Sequence, residues 1–240
     1  MAFKQNVLIL TAMRQELSSL VSFFGKQYMP EKKGIISQVK SGDSIFFFAY
    51  TGVGRKGIKK VLWKICDVLG DRVHTAIFFG CSGALDPALK KGDVIRMTKA
   101  LNESGDVVEV KDFEWMPHFV SGEMLSVRSF VDKHEKHNLR KQPIFKECMA
   151  VDMELFDAAE FFKDKKYDFI ALKIVSDELE TNVPTNQFMH DWFFGDVKKK
   201  TLISIFHPVQ FILFLTLQQS VKDVMKKMAV DMQRFLVCVE

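Results

Sequence analysis

The sequence predicts a layered α/β domain with a largely parallel or mixed sheet, and three observations carry that reading. Short, predominantly apolar runs of strand length recur, at Val7–Leu10, Thr75–Phe79 and Phe169–Val175. Between them apolar residues repeat at helical spacing, as in Met13, Leu17, Leu20, Val21 and Phe24. Glycine-containing turns separate the two kinds of segment, at Gly52-Val53-Gly54 and Gly80-Cys81-Ser82-Gly83. Buried strands alternating with amphipathic helices are what a sheet covered by helices requires.

Each element follows from its local pattern. Asn6 to Thr11 is the opening strand, and the helix marked by Met13 to Phe24 comes next. Ile35 to Lys40 and Ser44 to Tyr50 flank the turn signal Ser41-Gly42-Asp43, as a hairpin would. Ile58, Val61, Leu62, Ile65, Val68 and Leu69 then predict a helix. Thr75 to Phe79 is a third strand running into the Gly80–Gly83 loop, and Asp93 to Thr98 follows the turn Lys90-Lys91-Gly92. No clear period marks the stretch from Ala100 to Pro143. Met153 to Phe162 reads as a helix and Phe169 to Val175 as a strand. Val221, Val224, Met225, Met228, Met232 and Phe235 mark a long closing helix. Leu202 to Leu217 is apolar but contains Ser204, His207, Pro208 and Gln210, and it is shorter than the roughly 20 residues of a membrane helix. A buried or interface helix is expected there. No repeat or linker interrupts the pattern, so residues 1–240 are expected to form one domain.

Composition narrows the function classes. The formal charge of +4 comes from 34 basic and 30 acidic residues spread along 240 positions, so no concentrated basic field points to nucleic acid. Cys66, Cys81, Cys148 and Cys238 lack C-x-x-C spacing and neighbouring histidines, which gives neither a zinc site nor a disulfide framework. Reduced thiols in a cytoplasmic protein, without a metal, are the expectation. Val7 to Leu10 is too short for the apolar region of a signal peptide, and no membrane partner is expected.

Candidate chemistry is sought at the carboxyl ends of the strands, where α/β sheets gather ligands. Gly52-Val53-Gly54-Arg55-Lys56-Gly57 fits G-x-G-x-x-G between a strand and a helix, but the next strand ends Phe79-Gly80-Cys81 without the ribose-holding acid of a dinucleotide site. A glycine turn presenting backbone amides to a polar ligand is the reading that survives. Glu16 lies one turn into the first helix, where the macrodipole alone favours an acid. Asp152 and Glu154 close an apolar strand at the mouth of a helix, as an N-cap and a first-turn acid also would. Ser176-Asp177 ends the strand from Phe169, where a turn-forming Asp is equally natural. The coincidence of Glu16, Glu154 and Asp177, each just after a strand, is the observation that suggests one cleft. His134, His137 and His190 have no metal-ligand spacing, Lys198-Lys199-Lys200 reads as a solvated loop, and Trp115 and Met116 fit a pocket or simple packing equally well.

Six segments, in order, resemble the nucleosidase and nucleoside phosphorylase superfamily, which includes methylthioadenosine/S-adenosylhomocysteine nucleosidases, futalosine hydrolases and purine and uridine phosphorylases. They are Thr11-Ala12-Met13-Arg14-Gln15-Glu16, Thr51-Gly52-Val53-Gly54, Gly80-Cys81-Ser82-Gly83-Ala84-Leu85, Lys90-Lys91-Gly92-Asp93-Val94, Val151-Asp152-Met153-Glu154 and Ile174-Val175-Ser176-Asp177. The resemblance implies a three-layer domain, with a mixed central β-sheet flanked by helices, that cleaves the N-glycosidic bond of a nucleoside, expected to be a purine one, without a cofactor. It implies a homodimer or larger homo-oligomer. Glu154 would bind the ribose hydroxyls, Asp177 would be the general acid at the leaving base, and Glu16 would polarise the attacking water. Met153 would pack beside the sugar, and Leu125 and Ser126 would face the base. Val53, Cys81, Asp152 and Ser176 would complete the substrate-binding set. Cys81 stands where the family has a serine, Lys173 where it has an arginine, and Leu125 where it has a stacking phenylalanine; from Glu178 to Gln187 the match ends.

The nucleophile turns on cations. Phosphorylases of the superfamily carry an arginine at the position of Phe78, so the resemblance favours water, with phosphorolysis through Arg14 or Arg55 as the alternative. A nucleoside-binding protein without turnover is a third reading, against which stands the presence of Glu16 and Asp177 beside Glu154.

Overall fold

A computed structural model describes residues 6–23, 36–41, 44–55, 57–112 and 119–237. Trp115, Met116, Lys56, Phe24, the tip of the first hairpin and Cys238 lie outside the described residues. The chain runs β1 (Val7–Thr11), α1 (Arg14–Phe23), β2 (Ile36–Ser41), β3 (Ser44–Tyr50), α2 (Ile58–Leu69), β4 (Thr75–Ala84), β5 (Val94–Asn102), β6 (Val107–Glu109) and β7 (Val120–Ser126). It continues through α3 (Lys133–Arg140), β8 (Cys148–Asp152), α4 (Leu155–Lys163), β9 (Asp168–Asp177), α5 (Asn186–Phe194), α6 (Val197–Phe206) and α7 (Pro208–Val237).

The strands form one mixed sheet. Its order is β2-β3-β1-β4-β8-β7-β5-β6, with β9 inserted between β4, to which it is parallel, and β5, to which it is antiparallel. Because β4 also borders β8, and β8, β7 and β5 pair in succession, β4, β9, β5, β7 and β8 close on one another. The parallel run β3, β1, β4 and β9 brings the carboxyl ends of these strands to one edge. There β8 crosses β4 with Val151 opposite Gly83, which adds the end of β8 to the same place.

Side-chain alternation along the strands supplies the layers. Leu8, Leu10, Phe47 and Ala49 face Ile58, Leu62, Ile65 and Leu69 of α2 and Leu155, Phe156, Phe161 and Phe162 of α4. Val7, Ile9, Phe46 and Phe48 point the other way, onto Leu17, Leu20 and Val21 of α1 and Val224, Met225 and Met228 of α7. Each of these large side chains contributes about 1.5–3 kcal/mol by leaving water, so both faces of the sheet anchor helices.

Three expectations are corrected. The Gly80–Gly83 segment is not a loop: β4 runs to Ala84 with a bulge between Ser82 and Gly83, because Gly80, Cys81 and Ser82 pair along β9. Its glycines serve close approach of the side chains of Glu16, Lys173, Lys136 and Asp177. Residues 202–217 are not one buried helix. His207 and Pro208 break them into α6 and α7, bent by 111°, and Leu202, Ile205, Phe206, Val209 and Ile212 are exposed. Proline fits at the first position of α7 but cannot continue α6. Lys198, Lys199 and Lys200 start α6 rather than a loop, with Asp196 capping it through the Lys199 amide at 2.7 Å. Among the described residues, no single helix is long and apolar enough to cross a membrane.

Candidate active site

Glu16 is held by the turn between β1 and α1. Its Oε2 accepts the Met13 amide at 2.8 Å and its Oε1 accepts the Cys81 amide at 2.9 Å, so the carboxylate bridges the end of β1 and the middle of β4. It is 2% exposed, which rules out the solvated first-turn acid that the helix position alone would suggest. Burial pushes its carboxyl above the usual range, against the two amides and the neighbouring Lys173, which favour the charged form. The Cys81 thiol also bonds this carboxylate, and because each oxygen can accept two bonds, one acceptor place is left for a further donor such as water.

Asp152 and Lys173 form the buried centre of the site. Lys173 Nζ lies 2.7 Å from Asp152 Oδ2, each side chain 1% exposed, and 4.3 Å from the Phe78 ring centroid. Asp152 also accepts from Ser126 Oγ at 2.6 Å and from the Leu155 amide at 3.0 Å, fixing the start of α4. Burial pushes the Lys173 ammonium down, but Asp152, Glu154 and Glu16 outweigh it and raise the group overall. Gly80 makes this crowding possible: a Cβ there would sit 3.3 Å from Lys173 Nζ and 3.4 Å from Glu16 Oε1.

Glu154 Oε1 accepts the amide of Gly54 at 2.5 Å. Gly54 has φ +82°, a left-handed conformation that a side chain would strain, so the glycine turn does present an amide, and what it meets is a carboxylate. Burial first, then the charge of Asp152, pushes the Glu154 carboxyl up to about 8. A dinucleotide phosphate would find this turn already occupied by an acid.

Asp177 ends β9. Its Oδ1 lies 2.6 Å from Ser176 Oγ, and its Oδ2 accepts from Lys136 Nζ. A Cβ at Gly83 would stand 3.0 Å from Asp177 Oδ2 and 3.0 Å from Lys136 Cε. Among the described residues, no group of His, Cys, Asp and Glu is arranged to hold a metal ion.

These groups line one cavity of about 390 Å³, within the size range of small-molecule sites. Glu16, Val53, Cys81, Asp152, Met153, Glu154, Ser176 and Asp177 are on its wall. Leu125 and Ser126 are not: Leu125 is packed in the core with Leu85 and Val151, and Ser126 bonds Asp152. Aromatic rings do reach the cavity from other elements: Phe130, after β7, is on its wall, stacked on Phe193 at 5.3 Å. Sequence reasoning also missed the apolar wall of Met189, Phe193, Phe214 and Leu217, which comes from α5 and α7. Aromatic residues at helical spacing, Phe188 with Trp192 and Phe211 with Phe214, were its signal. Lys136, fully buried against Asp177, had no signal in a helix whose one apolar residue is Leu139.

Arg55 is engaged elsewhere, paired with Asp157 and lying 5.4 Å from the Phe156 ring centroid. Neither Arg14 nor Arg55 is on the cavity wall.

The closed mixed sheet with carboxylates at one edge matches solved structures along nearly its whole length. The 5′-methylthioadenosine/S-adenosyl homocysteine nucleosidase of Campylobacter jejuni superposes with a TM-score of 0.68 at 17% identity, over 94% of this chain and 95% of that one. The chain has the nucleosidase fold. Futalosine hydrolase of Helicobacter pylori matches with a TM-score of 0.63 at 19% identity, over 95% and 97% of the two chains. A mutant nucleosidase of Helicobacter pylori, solved with 5′-methylthioadenosine in its active site, gives 0.63 at 20% identity, over 95% and 98%. No protein-family model matches the sequence, and no curated protein is significantly similar to it.

Proposed function

We propose that this cavity hydrolyses the N-glycosidic bond of a nucleoside. The observation that carries the reading is the convergence of Glu16, Glu154 and Asp177, far apart in sequence, on one buried cavity with apolar walls. Breaking the bond between C1′ and the base leaves positive charge on the sugar and negative charge on the base. Asp177, at the end of β9, meets the second need by delivering a proton to a ring nitrogen of the base. Glu154 answers a binding need: its second oxygen is free of the Gly54 amide and takes the ribose hydroxyls. Glu16, anchored by two amides, polarises the water that attacks C1′ and accepts its proton. Met153 packs against the sugar, and Phe130, Phe193 and Phe214 bury the base or an apolar 5′ group, of the kind present in the 5′-methylthioadenosine bound by the Helicobacter relative.

Release of free base from a panel of purine nucleosides, with and without a 5′-alkylthio group, tests the reading. Base release with free sugar as the second product, in buffer without phosphate, is the expected result. No release from any member, or release only with phosphate, would overturn it.

A further inference from the structure

Lys136 is the feature of this cavity that the proposed reaction does not yet use. It is 0% exposed and sits on the cavity wall, and its Nζ donates to Asp177 Oδ2, to the Glu178 carbonyl at 3.0 Å and, at longer range, to the Asp177 carbonyl at 3.5 Å. The surrounding structure fixes it there. A capping box between Asp132 and Glu135 locks the first turn of α3. Lys133 and His137, on either side of Lys136, hold Glu180 at 2.6 and 2.9 Å and so clamp the loop after β9 to α3. Removing water from a lysine at this depth is costly, and a purely structural contact would be met as well by a neutral donor.

The arrangement also poses a chemical problem for Asp177. Its Oδ2 already accepts from Lys136 Nζ and its Oδ1 from Ser176 Oγ, whereas the acid that releases the base must hold a proton. The other charged or titratable groups facing this end of the cavity are Cys81 on β4, pushed well above the ordinary thiol range by burial, Glu178, engaged by the Lys91 amide and Lys90, and Lys222 of α7; among the lysines on the wall it is Lys136 that bonds Asp177 directly.

We propose that the acid at the leaving base is the Lys136–Asp177 pair, with the proton stored on Lys136 Nζ and passed through Asp177 Oδ2. This rests on the nucleosidase reading. As the bond to C1′ breaks, its electron pair goes to the base, the base takes a proton from Asp177 Oδ2, and Asp177 takes one from Lys136. Water meanwhile adds to C1′ and gives its proton to Glu16; after the products leave, Glu16 releases that proton to solvent and solvent reprotonates Lys136. Nothing is oxidised or reduced. Lys136 acts through Asp177 and is a positioning and proton-supplying residue.

The test compares wild type, Lys136→Met and Lys136→Arg by the pH profiles of kcat and KM and by carbon-13 NMR titration of the Asp177 carboxyl in the ligand-free protein. Lys136→Met should lower kcat about a hundredfold or more, leave KM nearly unchanged, and move the alkaline limb of the kcat profile to lower pH. Lys136→Arg keeps the charge but cannot give up a proton, so it should stay well below wild type. In the NMR titration the pH response of the Asp177 carboxyl signal should differ between Lys136→Met and wild type. A wild-type rate in Lys136→Arg would show that fixed charge suffices and would overturn the proposal, as would an unchanged kcat profile in Lys136→Met. Should wild type cleave no nucleoside, the nucleosidase reading fails. The NMR titration still decides whether the two groups share a proton, and identical curves in wild type and Lys136→Met would exclude it.

Discussion

Replacing Glu154 with Gln should remove a large part of the dependence of stability on pH. The carboxyl is buried, bonded to the Gly54 amide and close to Asp152, and burial followed by that charge pushes it from 4.5 to about 8. In the unfolded chain the group ionises near its ordinary value, while in the folded chain it keeps its proton to about 8. Between those limits the folded state binds more protons than the unfolded one, so stability falls as pH rises. The contribution is full below 4.5 and is lost as the pH passes through about 8. At about 1.4 kcal/mol per pH unit, the interval corresponds to a loss on the order of 5 kcal/mol. The amide side chain of the Glu154→Gln variant has the same shape, still accepts from the Gly54 amide and does not titrate. Urea unfolding of both proteins, repeated from about pH 5 to about pH 8.5, should show the variant gaining on wild type steadily with pH. Parallel curves across that range would mean that Glu154 ionises as a solvated carboxyl and that its burial beside Asp152 carries no electrostatic consequence.

Other consequences of the same geometry can be checked by simpler measurements. Asp177→Asn should cut kcat by about 100 to 10,000-fold with little change in nucleoside binding, read by base release and calorimetry. Glu16→Gln should lose activity and also about 1–3 kcal/mol of stability, because its new NH₂ must face the amide of either Met13 or Cys81, leaving a buried donor unpaired. Gly83→Ala should depress turnover more than it depresses the melting temperature, since the added methyl pushes on Asp177 Oδ2 and Lys136. Phe130→Ala should raise KM while leaving kcat close to wild type, because the ring is on the cavity wall but offers no proton or charge.

What could be read from the sequence was whatever depends on local pattern. Buried runs and helical spacing located β1, α1, β3, α2, β4, α4 and β9, and their order implied the carboxylate-bearing edge. The stretch from Ala100 to Pro143 resisted because β6 has three residues and β7 is buried only over its second half, so neither shows a full period. The continuation of β4 through Gly80 and Gly83 was hidden for another reason. Two glycines in a strand read as a turn, and only the side chains of Glu16, Lys173, Lys136 and Asp177 crowding against them explain why they are there. The apolar wall from α5 and α7 lies in the segment after Asp177 where the motif resemblance ends, and its place depends on α7 folding back over the sheet.

The engagement of the buried cations bears on water against phosphate. Glu16, Asp152, Glu154 and Asp177 are buried on the cavity wall together with Lys136 and Lys173, and Lys222 of α7 also lines it. The carboxyl groups are placed to stabilise a sugar that turns positive as its bond to the base stretches. The two buried ammonium groups are already engaged: Lys136 Nζ donates to Asp177 Oδ2, and Lys173 Nζ lies 2.7 Å from Asp152 Oδ2 and over the ring of Phe78. To use Lys173, phosphate would have to displace Asp152 from a buried pair, and breaking such a pair costs about 3–5 kcal/mol. Water needs none of this. It is neutral and requires only the acceptor place that Glu16 keeps after accepting from Met13 and Cys81.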